Sequence, residues 1–396
     1  MSPTRTTTLV AIAIIVAIIA GMVGYFAGTS SASPVTTTVT TTYTVTTTIS
    51  GAGATATVTQ TVTRGVTETV TTTRTVTETV TAAAKPEYEL HVAWLTAPNP
   101  LDTHTFFFKR FKELVEYRTG GRVKIIEHPG GELGDQDQYL VLMAQGQLFM
   151  ATIEVSRFAK YTNKLNFLSF PGLFRSTQEA MAFAESEWLL DYSNSVLNEF
   201  GWVVLGITVG GARYFLSIPE KPITGLDSFK GLVLRVMASP PYIEAAKVLG
   251  ANPQTYPYGE CYTLLQTKTI DAMENEVAAI IAMRFYEVAP NIALIPWAYA
   301  WHFVVASKKV LDSLPQDIRQ IIIDTAREVS SWKNSWGLFV EQVIGLRYLM
   351  EQGAKIISVD TKPIFDKLES EFLPKVKDQI PQGALEWLKE YRQSLA

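Results

Sequence analysis

Cysteine is all but missing from this chain. Cys261 stands alone among 396 residues, so neither an internal disulfide framework nor a cysteine-based zinc site can form. Histidine is nearly as scarce. His91, His104, His128 and His302 are the only four, and none is paired at i, i+4 with an acid between, as a zincin helix needs. No metal-ligand spacing is read from them, and no cofactor is expected. Net charge is slight, formally −4, which gives no reason to expect nucleic acid or an anionic membrane surface as the main partner. No nucleophile motif accompanies the acids. What is plentiful is apolar residues, 47% of the chain, enough at this length for two sizeable cores.

The N-terminal part falls into two segments. Arg5 precedes an uncharged run from Leu9 to Ala27, rich in Ile, Val and Ala. As a helix that run is about long enough to cross a ~30 Å hydrocarbon core. Residues 1–28 are therefore read as a transmembrane anchor or signal segment. Small residues after Phe26 offer a cleavage site. The run is longer than a signal core, which favours a retained anchor, and no cysteine follows it to carry a lipid.

From 29 to 85 Thr occupies nearly every second position beside Val, and Val66-Thr-Glu-Thr-Val-Thr71 repeats at 76–81. The alternation suits a strand. With one aromatic and few larger apolar residues, a disordered or extended stalk is expected instead. Its hydroxyls are natural acceptors for O-linked sugars. Its extended reach is roughly 180–200 Å at ~3.3–3.6 Å per residue. Such a tether holds the folded part outside the cytoplasm, at a cell surface or in a periplasm-like space.

Residues 86–396 have ordinary globular composition. Tyr88 to Leu95 reads as a strand. Phe107, Phe108, Phe111, Leu114 and Val115 recur at helical spacing, and Gly120-Gly121 ends that helix. Arg122 to His128 alternates as a second strand, a helix follows from about Asp135 to Gln145, and Phe149 to Ile153 gives a third strand. This βαβαβ opening predicts an α/β layer with parallel strands. Further strands are read at Gly201–Val209 and Gly231–Val236, and helices at 240–249, 258–267, 276–285 and 315–350. The Phe106-Phe107-Phe108 cluster is read as core packing. Trp297, Tyr299 and Trp301 share one strand face, which either lines a cleft or packs in the core.

Arg235 is the most informative residue. It lies in Lys230-Gly-Leu-Val-Leu-Arg-Val236, an apolar strand-like run between Gly231 and Pro240. A guanidinium cannot shed its charge, so once buried it needs an anionic partner, and no acid lies on the same strand. Either a distant Asp or Glu pairs with it, or a ligand carboxylate does, through two parallel hydrogen bonds that lysine cannot reproduce.

Several segments, taken in order, resemble the solute-binding proteins of TRAP transporters, the DctP-type family. They are Thr119-Gly-Gly-Arg-Val-Lys124 with Pro129-Gly-Gly-Glu-Leu-Gly-Asp135, Leu168-Ser-Phe-Pro-Gly-Leu-Phe-Arg175, Gly231-Leu-Val-Leu-Arg-Val236, Leu249-Gly-Ala-Asn-Pro253, Tyr262-Thr-Leu-Leu-Gln-Thr267, Ile270-Asp-Ala-Met-Glu-Asn275 and Phe285-Tyr-Glu-Val288. Each is weak alone; the ordered set, spanning roughly 88–390, is specific. The resemblance implies an α/β, two-lobe, periplasmic-binding-protein-like (type II-like) fold with a cleft between lobes. Lobe one would hold 86–211 plus 301–340, and lobe two 212–300 plus 341–396.

The same resemblance implies an extracytoplasmic receptor, not an enzyme, which binds a small organic acid and delivers it to TRAP membrane subunits. Arg235 matches the family's carboxylate clamp, Arg213 a second basic contact, and Asn275 an amide for a carboxylate oxygen or hydroxyl. Glu154 and Arg157 resemble polar cleft residues of members that bind sialic acid. Two departures stand out. The family continues Glu-Asn with Pro where this chain has Glu276, and Asp-Gly is here Asp271-Ala272.

The expected partners are the acid, the membrane subunits and, through the N-terminal helix, a lipid bilayer; a monomer is expected. The rival readings are an ABC-type binding protein, a ligand-sensing ectodomain, and a glycoside hydrolase using Glu132, Asp135 and Asp137 or Glu274 and Glu276.

Overall fold

The structure is a computed structural model that describes residues 39–50, 55–64, 72–81 and 85–395. The chain forms two compact units, 1–84 and 85–396. In the first, β1 (Val39–Ser50), β2 (Thr55–Arg64) and β3 (Thr72–Thr81) form a sheet of order β2-β1-β3. The β1–β2 pair is antiparallel, with Val45 opposite Val58, and β1–β3 is parallel, with Val45 opposite Val76. The sequence reading of 29–85 as a disordered or extended stalk is here met by paired strands over the described part of the segment. Alternating Thr and Val are β-branched at nearly every position, and that stiffness favours the pleated strand. The anchor read over 1–28 lies outside the described residues; among the described residues no helix is long and apolar enough to cross a membrane.

The second unit is a mixed α/β fold of two lobes built on one nine-stranded sheet. Its strands are β4 (Tyr88–Ala93), β5 (Val123–His128), β6 (Met150–Glu154), β7 (Trp202–Ser217), β8 (Val233–Arg235), β9 (Asn252–Gln254), β10 (Ala272–Glu276), β11 (Asn291–Ser307) and β12 (Lys355–Ile357). The order is β5-β4-β6-β11-β7-β10-β8-β9, with β12 on β11. Parallel pairing of β4 with β5 and β6 realises the βαβαβ reading.

Two long antiparallel strands, β7 and β11, run through both halves of the sheet. The later part of β11 lies against β6, with His302 opposite Glu154, and its start lies against β12. Register shifts between Ala293 and Ala298 and between Tyr299 and Trp301 bend the pair where it passes from one half to the other.

The glycines in β7 are where expectation and structure part. The sequence reading ended that strand at Val209, before Gly210-Gly211; the strand continues to Ser217. Gly210 stays in the strand because a Cβ there would lie 1.6 Å from Glu276 Oε2. At Gly211, with φ +125°, a Cβ would lie 2.7 Å from Glu341 Oε2. These glycines admit buried carboxylates against the strand rather than ending it. The strand β10 also replaces part of what was read as connection before the helix Val277–Ala282.

Packing follows the apolar spacing. Phe107, Phe108 and Phe111 of the helix Thr103–Arg118 are fully buried, and Trp94 of the first βα connection stacks on Phe108 at 5.0 Å. Trp297, Tyr299 and Trp301 lie in the core rather than the cleft: Trp297 packs on Phe215 and Tyr242, and Trp301 on Phe174 and Phe183. The long helix Gln316–Phe339 rests on β7, and at Gly337 a Cβ would sit 3.3 Å from Val209 O. The last helix, Gln382–Ser394, which the resemblance assigns to lobe two, packs Trp387 on Phe183 of the helix Thr177–Ala184.

Candidate functional site

The three-residue strand β8 fixes Arg235. It is held parallel on both sides, with Arg235 opposite Met273 of β10 and Gln254 of β9. Arg235 is 1% exposed. Its Nε and Nη2 donate to Tyr256 O at 3.3 and 3.0 Å, and its guanidinium lies 5.9 Å from the Tyr258 ring centre. Among the described residues no carboxylate lies within 4.0 Å of it. The side chain therefore carries a full buried charge balanced only by a carbonyl and a ring face, a state that costs several kcal/mol without an anion.

Arg213 is different. It projects from the middle of β7, and Nε donates to Glu274 Oε2 while Nη2 donates to Glu274 O at 3.2 Å. Both groups are buried, Glu274 completely. Burial works against the charge of Arg213, but Glu274 and its other anionic neighbours outweigh it and raise its pKa. The internal ion pair that the sequence left open for Arg235 belongs instead to Arg213.

Asn275 sits at the end of β10. Its Nδ2 donates to Tyr258 Oη at 3.0 Å and its Oδ1 accepts from Glu276 N at 3.0 Å. The second contact accounts for the departure noted at 276: proline would have no N–H to give. Glu154 ends β6 and caps the short turn Val155–Lys160, accepting from Ser156 N at 2.9 Å and from Ser156 Oγ. Its Oε1 has no protein partner, and burial pushes the carboxyl up against the pull of Arg213. Arg157 approaches Asp137 at 3.8 Å and leaves its Nε without a protein partner.

All five residues singled out from the sequence, Arg235, Arg213, Asn275, Glu154 and Arg157, line one cavity. Sequence reasoning missed several of its other walls, among them Gln136, Tyr258, Met237, His104 and His302. Gln136 ties two elements together, its Oε1 accepting from Glu154 N at 3.2 Å. His302 carried a legible signal, as the one basic residue in the 17-residue strand β11. His104 carried none beyond its place at a helix start.

Four of the acids read as candidates for hydrolysis are engaged by other groups. Glu132 lies beside His128, Asp135 caps the helix Gln136–Gln145, and Asp137 pairs with Lys160. Glu274 is spent on Arg213.

Residues 96–371 match the family described as bacterial extracellular solute-binding protein, family 7. A solute-binding protein of Sulfitobacter sp. (strain NAS-14.1) is 32% identical over 225 residues, covering 57% of this chain and 68% of that protein. The 2,3-diketo-L-gulonate-binding periplasmic protein YiaO of Escherichia coli (strain K12) is 29% identical over 284 residues, covering 72% of this chain and 86% of that one. Among solved structures, the sugar acid binding protein DctPAm of Advenella mimigardefordensis in complex with galactonate has a TM-score of 0.71 at 24% identity, covering 79% of this chain and 99% of its own. A periplasmic solute-binding protein of Sulfitobacter sp. NAS-14.1 with bound α-D-taluronate has a TM-score of 0.69 at 25% identity, covering 76% and 97%.

Proposed function

Because the chain belongs to bacterial extracellular solute-binding protein family 7, we propose that it is an extracytoplasmic receptor that closes over a small organic acid and hands it to a TRAP-type transporter. The observation that carries this is Arg235: a guanidinium 1% exposed, on the wall of a cavity, with no carboxylate within 4.0 Å among the described residues. A ligand carboxylate accepting two N–H bonds removes the cost of that buried charge. Closed lobes are then favoured only when the acid is present, and closure itself is what a transporter recognises.

The arrangement favours one carboxylate and several hydroxyls over two carboxylates. The charge of Arg213 is already taken by Glu274. Glu154 and Glu276 each hold a carboxyl oxygen without a protein partner at the cavity, and these suit hydroxyls rather than a second carboxylate. Arg157 and the remaining N–H of Asn275 donate to the same hydroxyls. Sugar acids have this chemistry, in keeping with the galactonate and taluronate held by the structural relatives.

In the same reading the run over 1–28 anchors the protein in a bilayer. Residues 29–85 space the receptor from it, raising its effective concentration near the membrane subunits. The folded region works as a monomer, with lobes of 86–211 plus 301–340 and of 212–300 plus 341–396.

The test is calorimetric titration with aldonates, uronates and four-carbon dicarboxylates, beside thermal melts. One sugar acid should bind with 1:1 stoichiometry and stabilise the protein by about 2.7 kcal/mol at a hundred times its Kd. Consumption of the bound acid by the purified protein, or tightest binding to a dicarboxylate, would overturn the respective part of this reading.

A further inference from the structure

Three side chains from distant parts of the chain meet on the cavity wall: His104 at the start of the helix Thr103–Arg118, Glu276 at the end of β10, and His302 within β11. They are 4%, 1% and 5% exposed. One donor atom from each lies within 4.8 Å of the others, and among the described residues this is the one such group of His, Cys, Asp or Glu. We propose that His104, Glu276 and His302 form a site for a divalent transition-metal ion of the zinc class, with one coordination position open to the cavity.

The donor set fits that class. Two imidazoles and one carboxylate suit borderline ions such as Zn2+ and Co2+ and ill suit Ca2+ or Mg2+, which take oxygen ligands. The spacing is close to what is needed. His302 Nε2 and Glu276 Oε1 are 4.0 Å apart, while ligands at ~2.1 Å from a tetrahedral ion stand about 3.4 Å from each other. Small side-chain rotations bridge that difference.

Unused valence points the same way. Glu276 and His302 are both buried on the cavity wall, and each keeps a polar atom, Oε2 and Nδ1, without a protein partner. The ring of His104 stands edge-on to His302 with centroids 4.4 Å apart, and Lys333 Nζ lies 3.4 Å from His104 Nδ1.

Three protein ligands leave a position for water or for an oxygen of a cavity ligand, as open zinc sites do. Arg235 and Arg213 line the same cavity, so an acid clamped by arginine has the ion within the space it occupies. The metal site stands on its own residues, and its test uses no organic acid.

The experiment titrates the full chain, freed of metal with a chelator, with Zn2+ alone by calorimetry and with Co2+ alone by visible absorption. One equivalent of each should bind, with Co2+ giving the d–d bands of a four- or five-coordinate nitrogen and oxygen site. His302→Ala and Glu276→Gln should each weaken binding at least 100-fold. His128→Ala, which breaks the 2.8 Å contact with His91, should leave stoichiometry and affinity unchanged. Should a site variant fail to fold, X-ray absorption of the Zn2+-loaded wild type counts the imidazoles directly, and two are expected. No binding tighter than millimolar, binding abolished by His128→Ala, or a spectrum without imidazole would overturn the proposal.

Discussion

Substituting the two buried arginines one at a time should produce opposite phenotypes. Arg235→Lys keeps a positive charge but replaces a planar fork by a single ammonium, which cannot meet both oxygens of a carboxylate. Among the described residues it removes no partner from an acid, because Arg235 donates to Tyr256 O and faces the Tyr258 ring with no carboxylate within 4.0 Å. The fold should therefore survive and binding should suffer. Truncating one side of a buried charged contact costs roughly 2–5 kcal/mol, which at about 1.4 kcal/mol per decade is about 30-fold to a few thousand-fold in Kd. Arg213→Met does the reverse: it strands Glu274, which is fully buried. Breaking a buried pair from one side costs about 3–5 kcal/mol of stability. Removing both members, as Arg213→Met with Glu274→Leu, should restore most of that loss. Calorimetry with the best sugar acid reads the first effect and urea melts the second. Unchanged affinity in well-folded Arg235→Lys, or a melt of Arg235→Lys as low as that of Arg213→Met, would refute the division of roles.

Residues 85–396 form their own compact unit, so a chain beginning at Lys85 should be soluble and bind the acid as the full protein does; loss of binding would remove the tether reading. Glu341 is buried with Tyr214 Oη at 2.9 Å and Thr177 Oγ1 at 3.0 Å, and burial raises its carboxyl pKa. A raised folded value means its contribution is fully present below the unfolded pKa of about 4.5 and is lost as pH rises through the folded one. Glu341→Gln should therefore gain stability relative to wild type between pH 4.5 and pH 8, measured by urea melts at both. At Gly206 a Cβ would lie 2.2 Å from Ser330 Oγ of the long helix. Gly206→Ala should cost about 1–3 kcal/mol by overpacking, and Ser330→Gly should relieve it in the double variant.

The local elements were legible because each depends on residues near it. The helix Thr103–Arg118 follows from apolar residues at helical spacing and stops before Gly120 and Gly121, whose φ of +62° and +80° no branched residue adopts cheaply. The strand β8 and the burial of Arg235 follow from an apolar run between Gly231 and Pro240. The early end read for β7 arose where one local signal has two physical outcomes. Gly210-Gly211 ends a strand in isolation but here makes room for Glu276 and Glu341. Alternating Thr and Val lacks a core yet pairs readily as strands.

By itself the sequence determined the opening βαβαβ order, the family to which the chain belongs, and that Arg235 would need an anion. Tertiary structure decided which arginine already has one. Glu274 lies 61 positions beyond Arg213 and reaches it only because β10 pairs antiparallel with β7. It likewise decided that His104, Glu276 and His302 share one wall of the cavity, since no spacing along the chain encodes a meeting of a helix start with two separate strands. Charge and burial can be read from residue type and pattern, but the partner of a buried charge is set by strand register over long sequence distances.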